Sequence, residues 1–386
     1  MRITFMSGLF LIGCAACKDK ETTNDLPDNA ADAVSTYVDI VVASYDDSVS
    51  TASALTSAVD AFVASPSESG LDAARQAWLD SREPYLQTEV YRFYDGPIDN
   101  PDTGPEGLIN AWPMDENHID YVSDDASSGI VNDTSITIDA ATLESLNEDG
   151  GETKIATGFH AIEFLLWGQD QSDSGPGDRP HTDFLTDDSA TAENGDRRGE
   201  YLKVASALLV THLQSIETEW EGAYGTSFVS DDFTALQNIL TGMIILSGFE
   251  TGGERLQAAL DSGDQEDEHS CFSDNTHRDM IQDVQGIANV WSGTYTRTDG
   301  STVSGTGVRD VVAELDADLA ARVDDRIDQS LSLANSLVVP FDNEIAASNA
   351  EGNERVAALI DSLREQEDVL FEVFSVLGMS VTIPAE

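Results

Sequence analysis

The stretch IATGFHAIEFLL, residues 155–166, decides the fold of this chain, because it is apolar almost throughout. An apolar segment of this length predicts a helix that is buried on most of its sides. A helix of that kind has to be surrounded by other packed elements, so the flanking sequence shows what class of fold encloses it.

Helical patterns flank this central segment in both directions. Apolar residues recur at roughly helical spacing from Ala30 to Ala64, and a second helical stretch follows at 69–94. Further helices are predicted at 197–224, 233–260, 279–291, 309–336 and 342–377. No strand pattern continues beyond a few residues. The chain is therefore predicted to be all-α, with an N-terminal helical bundle over residues 31–196 and a C-terminal bundle over residues 197–386.

The composition is strongly acidic. Across 386 residues, 72 Asp and Glu stand against 19 Lys and Arg, which gives a formal net charge of −53. A field of this sign repels DNA, RNA and anionic lipid, so a nucleic-acid partner is not expected. Scarce lysine with abundant aspartate is typical of adaptation to a salty medium. We interpret the acidic surface as a solubility device in preference to a cation-collecting surface.

The first residues have the pattern of a bacterial lipoprotein signal. A basic residue and an apolar segment lead into Leu11-Ile12-Gly13-Cys14, which resembles a lipobox. We expect a signal peptide at 1–13, lipidation of Cys14 and a lipidated polar tether at 14–30. Cys17 is a competing cleavage site, but the leucine three positions before Cys14 favours Cys14. The mature protein is expected to hold a lipid anchor in the membrane of the bacterial cell envelope, on the periplasmic or outer-membrane surface.

One candidate site lies inside the central apolar helix. His160 and Glu163 are three positions apart, so their side chains share one helix face, where an imidazole and a carboxylate can hold a metal ion. Gly158 permits another helix to approach closely. The alternative is a hydrogen-bonded His–Glu pair that joins two helices. No second histidine completes the H-E-x-x-H pattern of zinc proteases, so that template does not apply.

A second segment dense in possible ligands is QEDEHSCFSDNTHRD, residues 265–279. Its histidines and carboxylates are candidates to converge on a cation, and we favour His269 and His277 as facing a site. The question raised by the two segments is whether they share one site. Ser273 and Asp274 also suit the capping of a following helix.

Two features of the second segment have simpler interpretations. Its acidic start, residues 266–268, is expected to be a solvated face. Cys271 is expected to be a buried thiol in preference to a soft metal ligand.

Several stretches together resemble one known family. They are G-F-H-A-I-E-F-L-L-W-G at 158–168, D-Q-E-D-E-H-S-C-F-S-D-N-T-H at 264–277, Ala77-Trp78, Arg82-Glu83-Pro84-Tyr85, Gln87-Thr88-Glu89, Phe93-Tyr94-Asp95-Gly96-Pro97-Ile98-Asp99 and Gly252-Gly253-Glu254-Arg255. With these stretches the chain resembles the imelysin family, in its iron-regulated protein A branch, from about residue 35 to 375. The G-x-H-x-x-E signature of that family is matched in full.

The resemblance implies a two-lobed all-helical fold in which each lobe is a helical bundle and the signature lies near the interface between the lobes. It also implies a periplasmic or outer-surface location, often as a lipoprotein. The family is classed as a metallopeptidase, whereas relatives appear in iron-uptake systems as metal-binding components. The missing second histidine favours the second role here.

We therefore expect a surface-tethered metal-binding protein that serves iron uptake, with membrane proteins of that system as possible partners. The ion is expected to be divalent or ferric, either iron or zinc, because imidazole and carboxylate ligands suit both. The candidate metal ligands are His160, Glu163, Glu89, Asp95, His269 and His277. The alternative is a zinc-dependent metallopeptidase in which Glu163 is a ligand or the general base.

The arginines in the family-like stretches have a simpler interpretation. Arg82, Arg92 and Arg255 are conspicuous in so acidic a chain, and buried arginine commonly pairs with carboxylates such as Glu89 or Glu254. We expect ion pairs of this kind in preference to an anion-binding site.

Overall fold

The computed structural model describes residues 26–172 and 174–381. The predicted signal peptide, the lipidation site Cys14 and most of the predicted tether lie outside the described residues. Among the helices of the described part, none combines the length and the apolar character that crossing a bilayer requires.

The described residues confirm the all-α prediction. The α-helices are α1 Ala30–Ala64, α2 Glu68–Leu86, α3 Glu106–Ile109, α4 Gly129–Asn132, α5 Ala140–Leu146, α6 Gly158–Trp167, α7 Gly195–Glu221, α8 Ala223–Phe228, α9 Asp232–Ile244, α10 Ala258–Ser262, α11 Thr276–Ser292, α12 Val308–Leu315, α13 Ala317–Ala334, α14 Asp342–Ile345 and α15 Ala350–Val376. Short 3-10 helices cover Glu89–Tyr91, Glu116–His118, His181–Phe184 and Gln265–Asp267. Two three-residue strands, β1 Thr294–Thr296 and β2 Thr302–Ser304, pair antiparallel.

Helix α6 is the central element around which the N-terminal helices pack. All ten of its residues are buried, and α2, α3 and α7 lie against it. It begins at Gly158, whose φ is +82°, and ends before Gly168, whose φ is +72°. Because left-handed backbone favours glycine, these two residues set the limits of the helix.

A π-helix, Ile245–Gln257, follows α9 without a break. The sequence predicted one ordinary helix over 233–260. The π-helical part packs against α15 and α11 and contains three glycines, one of which approaches the side chain of Leu363 on α15. Wider turns of this kind are frequently found near functional sites, and this one carries Arg255 into the protein interior.

The apolar interior forms two clusters. The larger includes residues of α1, α2, α6, α7 and α9, and the smaller joins the ends of α11, α13 and α15. Helix α11 contributes to both, because Met280 and Val284 lie in the smaller cluster whereas Ile287 and Val290 lie in the larger. The larger cluster takes residues from both sides of residue 196, so the predicted boundary there stays a prediction.

Candidate metal centre

His160 and Glu163 form a fully buried pair on α6. Nδ1 of His160 and Oε2 of Glu163 are 2.9 Å apart, and neither side chain is exposed. The three-residue spacing on a helix produces this contact, as the sequence predicted. The apolar residues on either side of the pair remove it from water.

The second segment reaches Glu163 through Ser273. The backbone N–H and the hydroxyl of Ser273 both donate to Oε1 of Glu163, at 3.0 and 2.6 Å. These bonds connect α6 with the loop that precedes α11. The two segments singled out in the sequence therefore meet at one buried centre, and both oxygens of Glu163 are engaged there.

His269 faces His160 within this centre. The two imidazole rings lie edge to face with their centroids 4.9 Å apart, and the ring of Trp112 covers His160 at the same centroid distance. Nδ1 of His269 lies 2.7 Å from Oδ2 of Asp279. Each imidazole is thus oriented by a carboxylate through its Nδ1 atom.

Asp279 is held in turn by a set of donors. Its Oδ2 accepts from Nη2 of Arg82 at 2.9 Å and from the hydroxyl of Ser270 at 2.5 Å, and its Oδ1 accepts from Asn275 at 3.1 Å. Arg82 is itself fully buried and also donates to Asn110. A buried carboxylate with this many donors keeps its charge.

Burial governs the protonation of the rest of the centre. Burial raises the pKa of Glu163 to about 8 and lowers the pKa of His160 well below its ordinary value. Burial likewise lowers the pKa of His269 to about 4. Burial opposes the ionisation of Asp279, yet Arg82 and His269 hold the pKa of its carboxyl below the ordinary range. At neutral pH the two imidazoles are therefore neutral and Asp279 carries the charge.

Two features of this centre are typical of metal-binding histidines. Nε2 of His160 is buried without a hydrogen-bond partner, and burying such an atom is costly. Metal-binding histidines usually direct their other ring nitrogen at a carboxylate or carbonyl, which is the arrangement of both His160 and His269. Among the described residues, His160, Glu163 and His269 do not form a trio with all ligand atoms within 4.8 Å of one another. The centre thus offers imidazole donors without a complete protein ligand set.

Glu89 belongs to a neighbouring ion-pair cluster. Its Oε2 accepts from Arg92 at 2.7 Å and from Arg255 at 2.5 Å, while its Oε1 has no hydrogen-bond partner. Burial opposes the ionisation of Glu89, but the two arginines lower the pKa of its carboxyl below the ordinary range. Arg255 also donates to Asp283 at 2.8 Å and to Glu250 at 3.0 Å. The expected pairing of Arg92 and Arg255 with Glu89 is present, and Glu250 takes the place expected for Glu254.

Asp95 and His277 are not brought into the centre. Asp95 is exposed in a turn after the Glu89–Tyr91 3-10 helix and, with Tyr224, lines a surface cavity of about 240 Å³. His277 is half-buried on the first turn of α11, and its Nδ1 lies 3.2 Å from the backbone oxygen of Asp274. Because residues two apart on a helix point in nearly opposite directions, His277 faces away from the side that holds Asp279.

The acidic start of the second segment was predicted to be solvated, and this is wrong for Glu268. Glu266 and Asp267 are exposed, but Glu268 is fully buried. The 3-10 helix Gln265–Asp267 ends at this point, and the chain turns inward towards His269. Cys271 is a buried free thiol, as predicted.

Sequence reasoning missed Trp112 and the role of Ser273. Trp112 lies in a proline-containing loop without periodic pattern, so no local signal places its ring on His160. Ser273 was interpreted as a helix cap, but α11 has Asn275 at its N-cap and Ser273 binds Glu163.

Fold and centre together define an all-α protein in which a buried carboxylate-oriented histidine pair joins a central helix to a distant loop. The chain belongs to the imelysin family, whose family model, described as Imelysin, matches residues 41–370.

Individual relatives agree with this assignment. The chain is 25% identical over 345 residues to Iron-regulated protein A of Synechococcus elongatus. The aligned region covers 86% of this chain and 83% of that protein. Its fold is similar to a solved structure from Parabacteroides distasonis described as an iron-regulated protein A precursor (TM-score 0.67, 21% identity, 91% of this chain and 97% of that one). An imelysin-like protein from Psychrobacter arcticum is also similar (TM-score 0.63, 14% identity, 92% and 98%).

Proposed function

We propose that this protein binds iron at the His160–His269 centre and serves as a metal-binding component of iron uptake. The observation that carries the proposal is the buried Nε2 of His160, which has no hydrogen-bond partner while its Nδ1 is held by Glu163. The name of the relative from Synechococcus elongatus supports iron as the cargo.

In this proposal the two histidines bind the ion and the two carboxylates orient them. Glu163 was predicted as a ligand, but both of its oxygens are engaged, by His160 and by Ser273. To present Nε2 as a lone pair, His160 keeps its proton on Nδ1 and donates it to ionised Glu163. The bound ion would supply positive charge that favours this ionised form.

Metal content and affinity of the full-length protein test the proposal, with ferrous iron and zinc as the probes. We expect one tightly bound ion per chain in the wild type and its loss in His160→Ala and in His269→Ala. His277→Ala is the matched control, because this histidine lies in the same segment but outside the centre. Equal affinity in all four proteins would overturn the assignment. Zinc bound far more tightly than iron would overturn iron as the cargo.

The geometry gives less support to the zinc-peptidase alternative. Glu163 is fully buried, and four surface cavities of about 970, 550, 340 and 240 Å³ are lined by other residues. Because Glu163 is buried, a peptide bond could reach it only after the surrounding helices move. Chelator-sensitive peptide cleavage that disappears in Glu163→Gln would reverse this preference.

We also propose that Cys14 carries a lipid that tethers the protein to the cell envelope, where partners of iron uptake are found. The support is the lipobox-like sequence that ends at Cys14. Detergent-phase partitioning and mass spectrometry of the processed N-terminus test this. A lipidated Cys14 that is lost in Cys14→Ser is expected, whereas an unmodified or uncleaved N-terminus would contradict it.

A further inference from the structure

A second cluster of ligand groups lies outside the histidine centre. Carboxylate oxygens of Asp170, Asp274 and Asp342 all lie within 4.8 Å of one another. The three side chains are buried, with only 3%, 6% and 7% of their surface exposed. Three carboxylates at this separation repel one another strongly when they are removed from water.

Glu268 is a further buried carboxylate beside this cluster. It is fully buried, and neither of its carboxylate oxygens has a hydrogen-bond partner. Its carboxyl group lies beside that of Asp342, and the Asp274 carboxyl is also near. A buried carboxylate that faces other carboxylates calls for a positive charge between them.

Arginine supplies that charge at several other buried carboxylates of this chain. Asp120 is paired with Arg179 and Arg198, and Asp279 is paired with Arg82. Among the described residues, no arginine or lysine lies within ion-pair distance of Glu268 or Asp274. Glu268 and Asp274 therefore differ from the internal carboxylates that are paired with arginine.

We propose that Asp170, Asp274 and Asp342 bind one hard divalent cation of the Ca²⁺ class, with Glu268 adding negative charge beside them. All three ligand side chains offer oxygen alone, which suits Ca²⁺ or Mg²⁺ and disfavours the softer ions that prefer nitrogen or sulfur. Ca²⁺ is favoured over Mg²⁺ because it accepts many carboxylate oxygens in irregular geometry. This site shares no ligand with the histidine centre and does not depend on the function proposed for it.

The cation would join three separate parts of the chain. Asp170 follows the end of α6, Glu268 and Asp274 lie on either side of His269 in the second segment, and Asp342 begins α14. Binding would thus hold the loop of His269 against the helix of His160 and against the C-terminal part of the protein. The inferred role is structural support of the neighbouring centre.

Calorimetry and thermal unfolding of the full-length protein test the Ca²⁺ site. The protein is first stripped of metal with EDTA, and the EDTA is then removed by dialysis. Buffer with about 0.5 M NaCl screens weak binding to the acidic surface. We expect one Ca²⁺ per chain and a rise in Tm on adding CaCl₂. Asp274→Asn and Asp342→Asn should weaken Ca²⁺ binding roughly tenfold or more, because affinity follows the charge of the ligands. Asp328→Asn, which removes an exposed charge from α13, should bind as the wild type does.

Two further comparisons separate this site from a loss of fold and from the histidine centre. Without metal, Asp274→Asn should melt at or above the wild-type temperature, because it removes one of the repelling charges. His160→Ala should keep its Ca²⁺ affinity. Absence of Ca²⁺ binding, equal binding in the Asn variants and the wild type, or a metal-free Asp274→Asn that is less stable than the wild type would overturn the proposal.

Discussion

His160 and His269 contact carboxylates of opposite protonation, and the difference arises from one arginine. Arg82 lies 2.9 Å from Asp279 and keeps that carboxyl ionised, whereas hydrogen bonds from Ser273 are too weak to keep Glu163 ionised in the same apolar surroundings. His269 therefore has a fixed orientation, in which its Nδ1–H donates to the ionised carboxylate of Asp279. The orientation of His160 is linked to the proton of Glu163.

The buried state of His269 makes the stability of the metal-free protein depend on pH. Its pKa is about 4 in the folded chain, below the ordinary value of 6.5. The unfolded chain therefore binds one more proton between these values, and this group's contribution to stability is lost as the pH falls from 6.5 towards 4. The slope is at most about 1.4 kcal/mol per pH unit. Urea unfolding across this range should show a shallower dependence in His269→Asn, and parallel curves would contradict the prediction.

Removal of Arg82 should be strongly destabilising. Arg82→Met leaves Asp279 as a buried charge without its cation, which costs about 3–5 kcal/mol. Arg322→Met is the matched control, because Arg322 pairs with Glu372 on the surface, where an ion pair contributes little to stability. Chemical unfolding of the two variants beside the wild type measures both losses. Similar losses of unfolding free energy in the two variants would contradict the expectation that the buried pair contributes more to stability than the surface pair.

At the scale of elements, α6 depends on the backbone at its first residue. Gly158 has a φ of +82°, and a Cβ atom there would overlap the backbone carbonyl oxygen of Ile109 at the end of α3. The first glycine of the G-x-H-x-x-E signature therefore permits a close approach, as predicted, although the neighbour is the carbonyl end of a short helix. This contact fixes where α6 starts and so where His160 and Glu163 lie.

Gly158→Ala should cost more than 4 kcal/mol, because it combines left-handed strain of about 1–2 kcal/mol with a clash against backbone. Gly150→Ala is the control for strain alone, since Gly150 has a φ of +95° with no atom within 4 Å of the added Cβ. We expect the control to lose only about 1–2 kcal/mol. Thermal unfolding compares the two variants, and equal losses would show that the approach to Ile109 is not tight.

Local periodicity was enough to predict most helices but not the contacts between them. The range 30–64 predicted for the first helix is the range observed, because its apolar stripe continues over the whole length. The π-helix could not be predicted, since a shift of hydrogen bonds by one residue hardly changes the apolar pattern. The spacing of His160 and Glu163 predicted their contact. Ser273, Trp112 and Glu268 reach the interior through tertiary packing, for which a single sequence carries no periodic signal.

At the scale of the whole molecule, the charge is distributed unevenly between interior and surface. Arg82, Arg179, Arg198 and Arg255 are buried and neutralise internal carboxylates. With only 19 basic residues in the chain, the solvent-facing surface has few cations to balance 72 acidic residues. The surface of the folded state is therefore strongly negative, with few cations among many carboxylates.

The stability of the protein should rise with salt for this reason. Between about 0.1 and 1 M NaCl the Debye length falls from about 10 to about 3 Å, which screens the repulsion between surface carboxylates. Surface ion pairs such as Arg322–Glu372 also weaken, but each contributes little, and acidic residues far outnumber basic ones. The expected result is a Tm that increases with NaCl in the presence of EDTA, which keeps divalent cations out of the comparison. Sucrose at matched osmolality is the control for a general effect of solutes on burial, and it should raise the Tm less. A constant Tm would mean that the surface charges are too far apart to interact, and a Tm that falls with NaCl would mean that attractive ion pairs outweigh the repulsion.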